Sequence, residues 1–296
     1  MLFDPNMFAL DTLGLLAVLE DVAALEPAAT GALTYGPDEA PVGAVLVESG
    51  QTCWAAAAGM RPLTRILCER FGLARDVLEN RYQRCREEGR PLGECLVDEA
   101  LLSVEQLREA LLEHTANALV VLSGARERAP RWREHRNSRY DARFSFNNSE
   151  LLLAVASQVV PALQVRAWRV LERITVALHS AAFVADRGYL LPIWLQGDWE
   201  LRDLLTLGAW AADTIELSSH ATGEPTELVA ATDERRRGVV AWRDPAEPRL
   251  VYGAMCFEST ALGRLLSRYR EIGSIGGLGN SAGGNHGARH APHARA

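Results

Sequence analysis

Lysine is missing from all 296 residues; the 31 basic side chains are every one arginine. A GC-rich coding bias accounts for this without a functional reading, but the chemical consequence stands. A Walker A lysine, a Schiff-base lysine and a kinase-type lysine are all excluded, so the chain is no ordinary P-loop NTPase. Cysteine is scarce: Cys53, Cys68, Cys85, Cys95 and Cys256 are odd in number and form no CxxC pair. That pattern predicts reduced, packed thiols, with neither a disulfide framework nor a zinc site. No apolar run reaches the roughly 20 residues that span a bilayer. The start "MLFDPNMFALDTLGLL" has aspartates and no basic n-region, so no signal peptide is expected and the cytoplasm is the predicted compartment. The formal charge of −7 argues against broad binding to nucleic acid or to acidic membranes. Also missing are a GxSxG elbow, HExxH, DxD and a Gly-rich strand–turn–helix motif. With no base set beside a Ser, Thr or Cys nucleophile, the expectation is a non-enzyme without metal or cofactor.

The length suits two domains, and 48% hydrophobic with 23% charged residues suits globular folding. Residues 7–25 have helical spacing. The stretch "TGALTYGPDEAPVGAVLVESGQTCWAAAAG" reads as short strands with Gly- and Pro-bearing turns, including a hairpin turning at Ser49-Gly50. The helix, the Thr30-Gly31-Ala32-Leu33 strand and the hairpin together resemble the PatA-like N-terminal (PATAN) domain of bacterial signalling proteins.

An internal repeat follows at an offset of 29 residues. "RPLTRILCERFGLARDVLENRYQRC" (61–85) aligns with "RPLGECLVDEALLSVEQLREALLEHT" (90–115), matching Leu63 with Leu92, Leu67 with Leu96, Leu73 with Leu102 and Leu78 with Leu107. Each copy predicts a short helix, a break and a longer amphipathic helix, the last one opened by a Ser103/Gln106 capping box. The second copy resembles the N-terminal domain of MshE-type secretion and pilus ATPases, with Arg90, Leu92, Gly93, Leu96, Val97, Leu102, Leu107, Ala110 and Leu111 at motif positions. It departs from that pattern at Pro91, at Ala100 where the motif has glycine, and at His114 where it has glutamine. Some members bind cyclic di-GMP through this motif, which implies an alternative role for the chain as a cyclic di-GMP receptor. Arg90 would contact phosphate or guanine and Leu92 and Leu96 would pack under the base, with Gly93 a further candidate binding residue. A structural helical module is the plainer expectation. Residues 124–144 carry seven arginines interleaved with Trp132, Tyr140 and Phe144, diluted by Glu127, Glu134 and Asp141. Such a stretch can stack on bases or grip phosphate; a linker or an intramolecular docking surface is expected instead. After it, "YDARFSFNNSELLLAVA" reads as a closing strand and helix.

From residue 165 the predicted order is α-β-β-α-β-β-β-α: a helix, two strands turning at Asp186-Arg187-Gly188, and a helix over 198–219. A hairpin tipped by 233–237, a strand and the closing helix "STALGRLLSRYREI" complete it. One antiparallel sheet with helices is the expected result, making the chain α+β. This order, with "FVADRGYLLPIWL", "TELVAAT" and "RLVYGAMCF", resembles a Roadblock domain over about residues 165–273. The resemblance implies a profilin-like antiparallel sheet, no chemistry of its own, dimerisation through the helix between strands two and three, and regulation of small Ras-like GTPases. At ~100° per residue, Leu201, Leu204, Leu205, Ala211, Ala212 and Ile215 share one face of that helix, the stripe it lays on its own core. Trp199, Trp210 and Leu217 fall opposite, with Leu207 beside them. That second stripe is the expected interface for a homodimer or another partner.

The sequence therefore predicts a PATAN-like domain over 1–160 containing the repeat at 61–115, a Roadblock-like dimerisation domain over 165–273 and a disordered tail over 274–296, where His286, His290 and His293 hold no metal. The expected role is a non-catalytic, cytoplasmic signalling adaptor. It would form homodimers and bind a small Ras-like GTPase or a polarity or motility protein, with no nucleic acid and no membrane insertion.

Overall fold

The computed structural model describes residues 11–125, 130–134, 142–172, 179–186, 189–197, 199–223, 228–232, 238–256 and Ser267. The closing helix (apart from Ser267), the tail with its histidines, and the tip at 233–237 lie outside them. The chain is α+β, and among the described residues every strand pair is antiparallel.

The first part is a four-stranded sheet with helices. Helix α1 (Thr12–Ala23) starts where Asp11 caps the Gly14 amide at 3.0 Å. Strands β1 (Gly31–Tyr35), β2 (Gly43–Glu48) and β3 (Gln51–Ala57) follow. The β2–β3 hairpin turns at Ser49 and Gly50, both at positive φ (50° and 73°), the pair of left-handed residues a two-residue hairpin turn demands. The repeat then inserts four helices: α2 (Leu63–Phe71), α3 (Arg75–Glu88), α4 (Leu92–Asp98) and α5 (Val104–Ser123). The Ser103/Gln106 capping box forms as expected. Strand β4 (Arg131–Glu134) returns to pair with β1, giving the order β3-β2-β1-β4. The expected closing strand after residue 140 is only a 3₁₀ turn at Ala142–Phe144 and a single bridge, Phe146 to Thr52.

Both repeat copies end their first helices on a left-handed residue, and the chemistry differs. Gly72 follows α2, whereas α4 closes with Ala100 at φ 54°. The Leu101 N–H donates to the Leu96 carbonyl and the Ala100 N–H to the Val97 carbonyl, each at 2.9 Å, the crossed pair of a Schellman cap. A β-carbon in that conformation is disfavoured by roughly 1 kcal/mol. Ala100→Gly should therefore raise stability by about 1 kcal/mol, measured by urea denaturation; an unchanged or lower midpoint would refute it.

Helix α6 (Asn148–Val159), opened by an Asn147/Glu150 capping box, breaks at Val160 and continues as α7 (Pro161–Leu171), with proline at the one helical position that tolerates it. The second sheet contains β5 (His179–Asp186), β6 (Tyr189–Gln196), β7 (Leu228–Thr232), β8 (Gly238–Arg243) and β9 (Leu250–Cys256), in the order β6-β5-β9-β8-β7. Helix α8 (Leu201–Thr222) connects β6 to β7 and packs on one face, through Ala211 and Ile215 against Ala241 and Val251 and through Leu204 into the larger apolar cluster. Gly208 is required there, because a β-carbon would come within 2.7 Å of Phe183 and Leu190. One apolar cluster runs through both sheets, joining Leu15 and Leu19 of α1, Leu151 and Val155 of α6, and Ile193 and Tyr252 of the second sheet. The repeat has its own core, built from Ile66, Leu67, Leu78, Leu96, Leu102, Leu107, Ala110 and Phe144.

Candidate interaction surface

The four residues expected to form an interface are placed differently from one another. Trp199 precedes α8, which starts at Leu201 after Glu200. Its indole donates to the Gln196 carbonyl at 3.0 Å and stands edge-on to His179 at 5.5 Å. Leu207 belongs to the core: it is 5% exposed and sits over Gly253, where a β-carbon would meet its Cγ at 2.9 Å. Helical geometry gives the reason, since Leu207 lies only about 60° from Leu204 around the axis. A sheet position lacking a side chain leaves room for it. Trp210 is half-buried at the edge of α8, against the main apolar cluster and the small one formed by Ala211, Ile215, Ala241 and Val251. Leu217 is 69% exposed. It shares the outer surface with Asp213 and Glu216, neither of which forms an ion pair with another described residue.

The sequence missed Trp168. This residue of α7 is 49% exposed, beside Val165 at 47%. Helical spacing carried the signal, because Pro161, Val165, Trp168 and Glu172 fall on one outward stripe of α7.

The four residues of the second repeat copy are engaged within the module. Leu96 is 1% exposed in the repeat core, with Leu92 packed against it. Gly93 lets α4 approach α5: a β-carbon would lie 2.9 Å from Leu107. Arg90 pairs with Asp98, which raises the guanidinium's affinity for its proton. Two grooves lie on this part of the molecule, one of about 670 Å³ between α5 and α6 and one of about 450 Å³ between α2 and α3. Arg90, Leu92, Gly93 and Leu96 line neither.

His114, at the glutamine position of the motif, serves the fold. The Trp54 indole donates to its Nδ1 at 2.9 Å, and the two rings stack 5.5 Å apart. Burial holds the imidazole below its ordinary value, against a backbone hydrogen bond with Ala55 that pulls upward. The unfolded chain therefore takes up a proton that the folded chain refuses, and the resulting stability is lost as pH falls below about 6.5. His114→Gln retains an acceptor for Trp54 and does not titrate. The drop in melting temperature between pH 7 and pH 5 should be smaller in this variant; an equal drop would place the titration elsewhere.

The cysteines are packed thiols among the described residues. Burial pushes Cys53 up to about 12 and Cys85 up to about 11, the latter reinforced by the neighbouring Cys95 thiol. Among the described residues no cluster of His, Cys, Asp and Glu could hold a metal, and no helix is long and apolar enough to cross a membrane.

No protein-family model matches the sequence, and no curated protein matches it. The functional reading therefore rests on the chain's own residues and geometry.

Proposed function

We propose that this protein is a non-catalytic bacterial signalling adaptor with a Roadblock-like domain over about residues 165–273. That domain would pair with a second copy and engage a small Ras-like GTPase. The observation that carries this reading is the β5-β6-α8-β7-β8-β9 order in a single antiparallel sheet, with the helix between its second and third strands laid across one face. That is the arrangement the resemblance implies. Leu217 on the outer surface of the same helix supports it, as does β7, a sheet-edge strand with no described strand on its outer side.

The paired surface is narrower than the sequence implies. Leu217 and the exposed flank of Trp210 are its apolar part, while Leu207 supports it from within. Asp203, Asp213 and Glu216 against Arg202 leave α8 net negative, so self-pairing should tighten as salt screens the repulsion.

Light scattering at tens of micromolar protein is the test. The wild type should be a dimer, and Leu217→Asp should shift it to monomer with an unchanged circular dichroism spectrum. A truncated hot-spot residue costs on the order of 2 kcal/mol, roughly a 30-fold weaker dimer. A monomeric wild type refutes the pairing. The partner is tested separately by interferometry with purified small GTPases loaded with GDP or a non-hydrolysable GTP analogue. Equal response to both, or none, refutes the regulatory role.

A further inference from the structure

The two copies of the repeat meet at a pair of thiols. Cys85 stands in the last turn of α3, at the end of the first copy, and Cys95 lies within α4 in the second. Gly89, at φ 66°, reverses the chain between them. Its N–H donates to the Arg86 carbonyl at 3.3 Å, and that of Arg90 donates to the Cys85 carbonyl at 2.8 Å. The two helices therefore run back along one another. Helical spacing sets Arg81 one turn before Cys85 and Glu99 one turn after Cys95, and those two residues form an ion pair of 2.8 Å. The same register makes the two thiols neighbours.

Packing alone does not account for cysteine at these places. Both residues are buried, yet neither belongs to an apolar cluster, whereas the half-buried Cys68 packs against one. In the first copy the position of Cys95 is held by Ile66, a wholly buried core residue, so an aliphatic side chain suits that place in the repeat. Arg84, Arg86, Arg90 and Asp98 around the pair are exposed, which sets the thiols close beneath the surface. Arg90, tied to Asp98, also brings a positive charge to both sulfurs. Burial holds the Cys85 thiol up at about 11, and that guanidinium acts against it. A lone buried thiol is inert. A pair beside a cation has one sulfur to ionise and a second in place to resolve the product.

We propose that Cys85 and Cys95 form a redox-modification site, at which hydrogen peroxide joins the two repeat copies through a reversible disulfide. One thiolate attacks a peroxide oxygen; the O–O bond breaks, and the departing hydroxide takes the thiol's proton and leaves as water. The second sulfur then attacks the sulfenic acid. The S–S bond forms, the S–O bond breaks, and the hydroxide leaves with the second thiol's proton as another water. Two thiols lose two electrons in total, and one peroxide is reduced to two waters. A dithiol reverses the bridge by exchange. The reduced pair is the resting form, as it is for sensing thiols in reducing compartments.

The test exposes the full, reduced chain to hydrogen peroxide at neutral pH, blocks the remaining thiols in denaturant and maps the tryptic peptides. Trypsin cuts after Arg86 and so separates Cys85 from Cys95 unless a bridge joins them. The linked peptide should appear roughly tenfold faster than Cys53 is lost, Cys53 being a buried thiol that donates to the Leu46 carbonyl. Dithiothreitol should return it to two thiols. Cys85→Ser and Cys95→Ser, with folds checked by circular dichroism, should each yield no linked peptide and leave a sulfenic acid that dimedone traps on the remaining cysteine. The bridged wild type should melt above the reduced form. Oxidation of the pair no faster than that of Cys53 overturns the proposal. So does a bridge from either cysteine to Cys68 or Cys256 instead, and an unraised melting temperature overturns the joining of the two copies.

Discussion

Replacing Arg166 by alanine should destabilise the protein by about 2–3 kcal/mol at neutral pH, the cost of losing a charge-assisted pair of hydrogen bonds to a buried carboxylate. The guanidinium of Arg166, on α7, grips Asp244 with two hydrogen bonds of 2.7 and 2.6 Å. Asp244 also accepts from the Tyr252 hydroxyl at 2.9 Å and from the Ala246 and Glu247 amides at 2.9 and 3.1 Å. The two partners are unequally placed: the Arg166 side chain is 41% exposed, that of Asp244 only 1%. Removing the arginine leaves a buried carboxylate with only the Tyr252 hydroxyl and two backbone amides to hold its charge, whereas removing the aspartate leaves an arginine that can turn outward.

The pH dependence distinguishes this mechanism from simple loss of packing. Burial pushes the Asp244 carboxyl upward, but Arg166, the Ala246 amide and the Tyr252 hydroxyl together outweigh it and hold the carboxyl below the usual carboxylate range. The wild type thus draws stability from Asp244 at neutral pH and loses it as pH falls through and below about 4. Without Arg166 the carboxyl loses its strongest lowering influence, so the variant draws less stability from the ionised form than the wild type does. The gap between wild type and Arg166→Ala, measured by urea denaturation, should narrow as pH falls from 7 to about 3. A constant gap would mean that the ion pair is not the cause.

The second large effect is expected at Gly14. A β-carbon there would fall well inside the radius of the Ser123 carbonyl oxygen, in the last turn of α5, and close to the Asp11 cap. Both obstacles are held by helix geometry, so Gly14→Ala has to push α1 off α5 and open the cluster around Leu15 and Leu19. Overpacking of this kind costs about 3 kcal/mol. Gly124 is the control, since the nearest atom to a β-carbon there is 3.7 Å away and its φ is −80°. Gly124→Ala should stay within about 0.5 kcal/mol of wild type. Equal effects at the two sites would show that helix propensity, not close approach, governs both.

Element type and order were legible in the sequence because they depend on short-range periodicity. The Ser49-Gly50 turn, the Ser103/Gln106 cap, the two-copy helical repeat and the β-β-α-β-β-β succession each follow from residues within a few positions of one another. Helical spacing likewise placed Leu204, Ala211 and Ile215 on the core face of α8. Which side chains reach solvent was decided by tertiary structure. Leu207 turned inward because Gly253, some 46 positions away, leaves a hollow for it, and Trp199 left the helix to bond with Gln196. Trp168 stayed exposed on α7. Arg131–Glu134, within the arginine-rich stretch, became an edge strand because β1 offered it a free side. Asp244, which reads as an ordinary loop carboxylate, became the buried anchor of α7 only once Arg166 and Tyr252 converged on it. Periodicity fixes the direction of a side chain relative to its own backbone; burial depends on what a distant part of the chain brings to that side, and no local spacing encodes it.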